Sequence, residues 1–379
     1  MTLTDQFRYL AKFEEMVVDM DHTEAWVTLD LISCIGPKSA QRLLEIFKTP
    51  ENILSAPISK IKETGFLNAA QLKSLAGGPD REAVEKAFTA LKAHGARAVG
   101  FDDPSYPEVL KQIEDPPLVL YVKGSLADLE PAVAIVGTRA PSHYGRETAF
   151  SLARDLSAKG VTVVSGLARG IDTAAHEGAL EGMASTVAVL GSGIDVIYPP
   201  ENAGLAEKIA HRGAVISENP PGTFPDPGNF PRRNRIISAL SSGVVVVEAA
   251  YRSGALITSR LAMEQGKTVM AVPGQITNVR SQGPHHLIRQ GAALVRDADD
   301  VLMEIAPQVK RAIGITETLL QPSDEIVELT GGDALSIEDI ARELGLDVVE
   351  AAKRVSMLEL AGKIVRIEGN RFTARSTNE

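Results

Sequence analysis

The sequence predicts an α/β protein: a Rossmann-like, doubly wound parallel sheet flanked by an N-terminal helical domain and a C-terminal winged helix. Three observations carry this reading. Between residues 131 and 300, short β-branched runs alternate with amphipathic stretches. Ahead of that block, apolar residues recur at helical spacing; after it, two helical stretches lead into a hairpin signal. At 379 residues the chain exceeds one ordinary core, so two or three domains are expected.

Residues 1–95 read as the helical domain. Trp26–Ile32, Ser39–Phe47 and Asp80–His94 have the helical period, and Ile35-Gly36-Pro37-Lys38 makes a tight turn between the first two. Such a hairpin can present backbone N–H groups to DNA phosphate, or it can be a packing module that touches nothing. Residues 96–306 read as the central domain. After a strand-like Ala96–Phe101, the run from Asp115 to Tyr121 extends the sheet or packs along its edge. The expected parallel strands are Val133–Val136, Thr162–Ser165, Thr186–Leu190, Ala214–Ser217, Val244–Glu248 and Thr268–Val272. Helical stretches at Gly145–Ala158, Asp172–Gly182, Leu205–Arg212 and Gly254–Gln265 alternate with them. Strands this apolar are buried on both faces.

The pattern fails over 307–330, around Gly314 and Pro322, which reads as a linker. In residues 331–379, Ser336 can cap a helix Ile337–Leu344, and Val348–Ala361 makes a second. Ile364–Glu368 and Arg371–Ala374 then fold back about Gly369-Asn370. Helix–turn–helix with a β-wing is a winged helix. Its 7 basic against 9 acidic residues leave a protein-contacting or purely structural role as open as DNA reading.

The net charge of −10 argues against a nucleic-acid partner, but its distribution does not. Residues 131–300 hold 16 Lys and Arg against 15 Asp and Glu, whereas the rest of the chain holds 23 against 34. A local basic path can bind phosphate on an acidic protein, since salt screens charges beyond about 8–10 Å. Cys34 is the only cysteine, which excludes an intramolecular disulfide and a cysteine zinc cluster and fits a reducing cytoplasm. The N-terminal stretch has no signal-peptide core, and the longest apolar runs are too short for a bilayer, so no membrane is expected.

Ligands of an open parallel sheet bind beyond the C-terminal strand ends, at helix N-termini. The loop after Val136 supplies Gly137 for close approach, hydroxyls of Thr138 and Ser142, the fork of Arg139, and Gly145 at a helix start. It is not a G-x-G-x-x-G dinucleotide loop, because Arg139 replaces the second glycine. The next loop carries Gly166 and Arg169; Asp172 reads as a helix cap and His176 as packing rather than catalysis. After Leu190 come Gly191 and Gly193, then Tyr198, whose ring can stack on a base. The segment Phe230-Pro231-Arg232-Arg233-Asn234-Arg235 places three arginines, Arg232, Arg233 and Arg235, and Asn234 at a helix start, as an anion site or else a solvated helix end. Convergence of these loops on one sheet edge outweighs any single motif. No metal site, cofactor or catalytic residue is read.

The ordered set VAIVGTRAPSHYG, SGLARGIDTAAHEGAL, AVLGSGIDVIYPPEN, FPRRNRIISALS and VVVVEAAYRSGALIT resembles the DprA (DNA-processing protein A, or Smf) family. DDPSYPEVLKQIEDPPLVLYVKG, AVPGQ and GPHHLIRQGA extend the resemblance over about residues 100–300. The flanks are similar in type: a SAM-like helical domain before, and a winged helix like that of a Z-DNA-binding fold after. The resemblance implies a non-catalytic homodimer that binds single-stranded DNA without sequence preference. It also implies protection of incoming DNA in natural transformation and help in loading RecA recombinase in place of single-strand-binding protein. The family's phosphate-holding motif falls on Gly137, Thr138 and Arg139, followed by Ser142, and its second loop on Gly166 and Arg169. Where many relatives carry a basic residue directly after Tyr-Pro, this chain has Pro200, so one phosphate contact is either missing or supplied elsewhere, by Arg232 or Arg235. Two rivals are an adaptor that binds RecA without touching DNA and a phosphoribohydrolase acting on nucleoside monophosphates. The second lacks its P-G-G-x-G-T-x-x-E loop here, and only the Glu248/Ser253-Gly254 region is similar.

Overall fold

The computed structural model describes residues 20–78, 81–126, 129–312, 325–331, 334–367 and 369–374. The chain divides into two units. The first comprises Met1–Lys123, Gly191–Val196 and Ile216–Asp226; the second comprises Gly124–Leu190, Ile197–Val215 and Pro227–Glu379.

The first unit is mostly helical. Its helices are α1 (His22–Leu31), α2 (Pro37–Phe47), α3 (Pro50–Ser55), α4 (Ile58–Glu63), α5 (Ala69–Gly77) and α6 (Arg81–Ala93). Local chemistry starts several of them. Asp21 caps α1 by accepting the Glu24 N–H at 2.7 Å, and Asn68 with Gln71 forms a reciprocal capping box on α5. Gly36 is the cap of α2 and Pro37 its first residue, so the expected turn is present. Helices α3 to α5 were not read from the sequence; at 6, 6 and 9 residues they are too short to display a period. Strand β1 (Arg97–Gly100), the short α7 (Glu108–Lys111) and β2 (Val119–Gly124) follow. The two strands pair antiparallel, Arg97 opposite Val122. Trp26, 2% exposed, anchors the unit by donating its Nε1–H to Asp102 Oδ1 at 2.7 Å, and Tyr121 donates its hydroxyl to Asp30 Oδ2 at 2.8 Å.

In the second unit, strands and helices alternate as the sequence predicts. They run β3 (Ala132–Val136), α8 (His143–Ala158), β4 (Thr162–Ser165), α9 (Ile171–Glu181), β5 (Thr186–Leu190), α10 (Ala203–Arg212) and β6 (Ala214–Ser217). They continue with α11 (Asn229–Ala239), β7 (Gly243–Val246), α12 (Gly254–Glu264), β8 (Thr268–Ala271), α13 (Gln282–Arg289), β9 (Ala293–Leu294) and α14 (Ala298–Ala312). Within this unit the strand order is β6-β5-β4-β3-β7-β8-β9. Pairs β3/β4, β4/β5, β3/β7, β7/β8 and β8/β9 are parallel. Every residue of β3, β4, β5 and β7 is buried, as a sheet covered on both faces requires. The core beneath α8, α9 and α14 is built from Val133, Ile135, Leu156, Val163, Val245 and Val301. From β3 successive strands are added on one side through β4 and β5, and from β7 on the other, which makes the β3/β7 boundary the switch point of the fold.

The winged helix consists of α15 (Glu325–Thr330), α16 (Ile337–Leu344), α17 (Val348–Leu360) and the antiparallel pair β10 (Ile364–Ile367) and β11 (Arg371–Ala374). Ser336 caps α16 as expected, accepting the Asp339 N–H at 3.1 Å, and Asn370 takes the left-handed conformation in the hairpin at φ 57°. The segment read as a linker is partly helical. Helix α14 runs on to Ala312 and α15 occupies Glu325–Thr330, whose Ile326 is fully buried in the winged-helix core; residues 313–324 lie outside the described residues. Within this unit, one face of α17 packs on its own domain through Ala352 and Val355. Another stripe, Lys353, Ser356 and Leu360, meets the central layer. Ser356 donates its hydroxyl to the Lys159 carbonyl, and Leu360 packs on the central core. Gly160, at φ +79°, lets them close, since a Cβ there would lie 3.0 Å from the Lys353 nitrogen.

Candidate nucleic-acid interface

The loop from β3 to α8 is held on both sides. Thr138 donates its N–H to the Glu248 carbonyl at 2.7 Å, and its own carbonyl accepts from Ile171 N–H at 3.2 Å. Arg139 projects into solvent with its guanidinium 5.1 Å from the Phe230 ring centre, a cation–π distance. At the start of α8, Ser142 accepts the Gly145 N–H at 3.1 Å and donates its hydroxyl to Glu248 Oε1 at 2.5 Å. The Ser142 N–H donates to Glu248 Oε2 at 2.8 Å. A helix N-terminus is a ready anion site, and here the buried carboxylate of Glu248 fills it. Gly145 makes the room: a Cβ would come within 2.4 Å of that carboxylate. Ser142 and Gly145, read from the sequence as phosphate contacts, are thus engaged with Glu248.

The loop after β4 is organised around Arg233. This side chain, 4% exposed, reaches from α11 and donates Nη1 to the Gly166 carbonyl at 2.6 Å and also to the Val189 carbonyl. Its Nε donates to Asn234 Oδ1 at 3.1 Å. Gly166 is required by this approach, since a Cβ would sit 2.3 Å from the guanidinium. Asp172 is the counter-charge. It accepts the N–H groups of Gly166 at 3.2 Å and Ala168 at 3.4 Å, and Gly170 rather than Asp172 is the cap of α9. Burial pulls the Arg233 pKa down to about 10 although the Asp172 charge opposes this. Burial likewise raises Asp172 against the pull of Arg233. Arg233 remains a cation at neutral pH.

Arg169 stands at the rim and is half exposed. Its Nε and Nη2 hold both oxygens of Glu201, the Nη2–Oε2 distance being 3.1 Å. Glu201 lies in a short 3-10 turn, Pro200–Asn202, which Asn202 ties to the Arg169 loop. The Asn202 amide, 6% exposed, donates to the Leu167 carbonyl at 2.8 Å and to Thr173 Oγ1 at 2.9 Å. Tyr198 is half-buried with its ring centre 5.8 Å from that of Phe230, the planes at 47°.

These parts surround two depressions. A cleft of about 320 Å³ beside the β3/β7 switch point is lined by Gly137, Arg139, Asp172, Arg233, Ser253 and Thr258, among others. A shallower one adjoins Arg139, Arg169, Tyr198 and Phe230. Of the residues read from the sequence, Gly137, Arg139 and Asn234 line the cleft, while Gly166, Arg169 and Tyr198 border the shallower depression. Arg232 is exposed on α11, but Arg235 is 5% exposed and donates Nη1 to the Arg232 carbonyl at 3.3 Å. Gly191 and Gly193 belong to the other unit, where Gly193 N–H donates to the Thr223 carbonyl at 2.8 Å. His176 is fully buried, its Nδ1 2.8 Å from Thr186 Oγ1, in keeping with the packing role read for it. Arg233, read from the sequence as part of the same anion site, is buried; Phe230, Glu201 and Asn202 were not read as site residues. The aromatic at the head of the arginine run and the Pro-Pro-Glu-Asn turn were visible signals. Among the described residues no cluster of His, Cys, Asp or Glu is placed to hold a metal, and no helix is long and apolar enough to cross a membrane.

Guanidinium groups beside aromatic rings, at the C-terminal strand edge of a doubly wound sheet, define a Rossmann-type domain with a cationic, aromatic-lined mouth. Residues 97–306 match the family model of DNA recombination-mediator protein A, and residues 315–370 match that of the DprA winged helix domain. The chain belongs to this DprA/Smf family of DNA-processing, recombination-mediator proteins. It is 36% identical to Protein Smf of Escherichia coli over 361 residues, covering 92% of this chain and 95% of that one. The crystal structure of DprA from Streptococcus pneumoniae superposes with a TM-score of 0.67 at 37% identity, covering 75% of this chain and 99% of the other. A structure of DNA processing protein A from Helicobacter pylori, described for its single-stranded DNA binding mode, superposes with a TM-score of 0.51 at 30% identity. It covers 57% of this chain and 96% of its own.

Proposed function

We propose that this protein binds single-stranded DNA without base preference and without catalysis, through the loops that follow β3 and β4 and the start of α11. The observation that carries the reading is the placement of Arg139 and Arg169 around the Tyr198–Phe230 ring pair. Arginines suit phosphates, and rings suit bases of any identity, each stacked base contributing about 1–3 kcal/mol. The Helicobacter pylori relative is described as binding the same class of ligand. Thr138, Arg232 and Asn234 are further contacts in this proposal. Family likeness extends it to a cytoplasmic homodimer that protects incoming DNA and helps load RecA in place of single-strand-binding protein.

Titration with labelled oligothymidine at several salt concentrations is the test. Affinity should fall steeply with salt, by about 0.7 in log–log slope per phosphate contacted, and should hardly change with base sequence. Arg139→Ala should weaken binding about tenfold or more. Its melting temperature should hold, because the side chain is exposed and stacks only on Phe230. A flat salt response, or Arg139→Ala with unchanged affinity, sinks the proposal.

The phosphoribohydrolase alternative needs a free carboxylate near Ser253, and Glu248 is the one at hand. Its two oxygens are instead occupied by the Ser142 N–H and hydroxyl. Glu248→Gln is therefore expected to lower stability by about 1–3 kcal/mol. Neither form should release base from any nucleoside monophosphate. Turnover by the native chain that vanishes in Glu248→Gln would reverse this assignment.

A further inference from the structure

We infer that Glu201 is an affinity-setting residue, an internal carboxylate that occupies Arg169 in the free protein and must be displaced by a DNA phosphate. The inference rests on the single-stranded DNA reading above.

The geometry supports a competitor. A carboxylate presents two oxygens to a guanidinium fork much as a phosphate does, and Arg169 already gives Glu201 both its Nε and an Nη. Glu201 does not reach Arg169 by chance of a flexible surface. Its turn is fixed by the buried Asn202, whose amide bonds both the Arg169 loop, at Leu167, and the start of α9, at Thr173. The Arg169 pKa is raised and that of Glu201 lowered, each chiefly by the hydrogen bond to the other, so both stay charged and matched.

The pair is also breakable. Both side chains are about half exposed, at 53% and 52%, and ion pairs of this exposure are weak in water. A phosphate arriving with further contacts at Arg139 can win Arg169 from Glu201, at the cost of the pair. Affinity is therefore set below what the arginines alone would give.

The test compares the full-length native chain, Glu201→Gln, Arg169→Ala and the double variant with labelled oligothymidine across a salt series. Glu177→Gln, on the exposed face of α9, controls for simple loss of negative charge. Glu201→Gln should bind about two- to fivefold tighter, with the log–log salt slope little changed because the same phosphates are contacted in both proteins. In the Arg169→Ala background the same substitution should give no more than the Glu177 control. Equal or weaker binding by Glu201→Gln, or a gain that persists without Arg169, overturns the inference while leaving the DNA reading intact. If the native chain and every variant fail to bind, the DNA reading falls and this inference with it.

Discussion

Arg233→Ala should be the most destabilising single change in the central domain, at about 3–5 kcal/mol. The substitution empties a fully buried site and orphans two acceptors, the carbonyls of Gly166 and Val189. It also leaves Asp172 buried with no counter-charge, held only by the Gly166 and Ala168 N–H groups and the Ser165 hydroxyl. Breaking a buried pair from one side is costly because the remaining charge is uncompensated, whereas replacing both members is much less so. Urea unfolding should therefore rank the double variant Arg233→Met/Asp172→Asn well above Arg233→Ala. Arg233→Ala within about 1 kcal/mol of the native chain would mean that the buried guanidinium does not brace the β4 loop.

The second large effect is a dependence of stability on pH. Burial lowers the His176 pKa from its usual 6.5 to about 3, with the nearby Arg233 charge acting in the same direction. Its Nε2 has no hydrogen-bond partner, so nothing in the fold favours a proton there. Between those two values the unfolded chain binds a proton that the folded chain refuses. Stability from this group is thus fully present above pH 6.5 and is lost as pH falls, by about 1.4 kcal/mol per unit. From pH 7 to 4.5 the native chain should lose about 2–3 kcal/mol more than His176→Asn, measured by urea unfolding at each pH. His22 works in the opposite sense and is common to both proteins. Burial lowers its pKa, but bonds to Glu51 and Asp102 raise it on balance, so its contribution is present at low pH and fades as pH rises. Parallel losses in the two proteins would show that His176 is solvated or protonated in the fold.

The alternation of β-branched runs and helical stretches was enough to place β4, β5 and β6 to the residue, because strands covered on both faces leave an unbroken apolar signature. The small helices of the first unit left no such trace; their ends are set by caps such as Thr49 and Asn68, and their length by tertiary packing. The rim of the site was legible where its residues face solvent, as at Arg139 and Arg169. What the sequence could not disclose was the inward turn of Arg233 and Arg235. Three arginines within four positions read alike in one dimension, yet Arg232 is exposed while Arg233 and Arg235, about 200° apart around the helix, are both buried, an outcome that tertiary packing on two sides of the helix decides. Likewise Gly145 and Gly166 announce a close approach without saying by what; the approaching groups are Glu248 and Arg233.

Helix α17 is the second helix of the helix–turn–helix, the one that such motifs lay in the major groove of a duplex. In this chain its stripe of Lys353, Ser356 and Leu360 already has a host in the Lys159–Gly160 corner and the central core. A duplex approaching that stripe would have to evict a domain of the same polypeptide, tethered and therefore present at high effective concentration. The wing is open to a newcomer, with Val365 and Ile367 38% and 40% exposed. The C-terminal domain is a motif of DNA readers, and here a stripe of its second helix is bolted to its own neighbour.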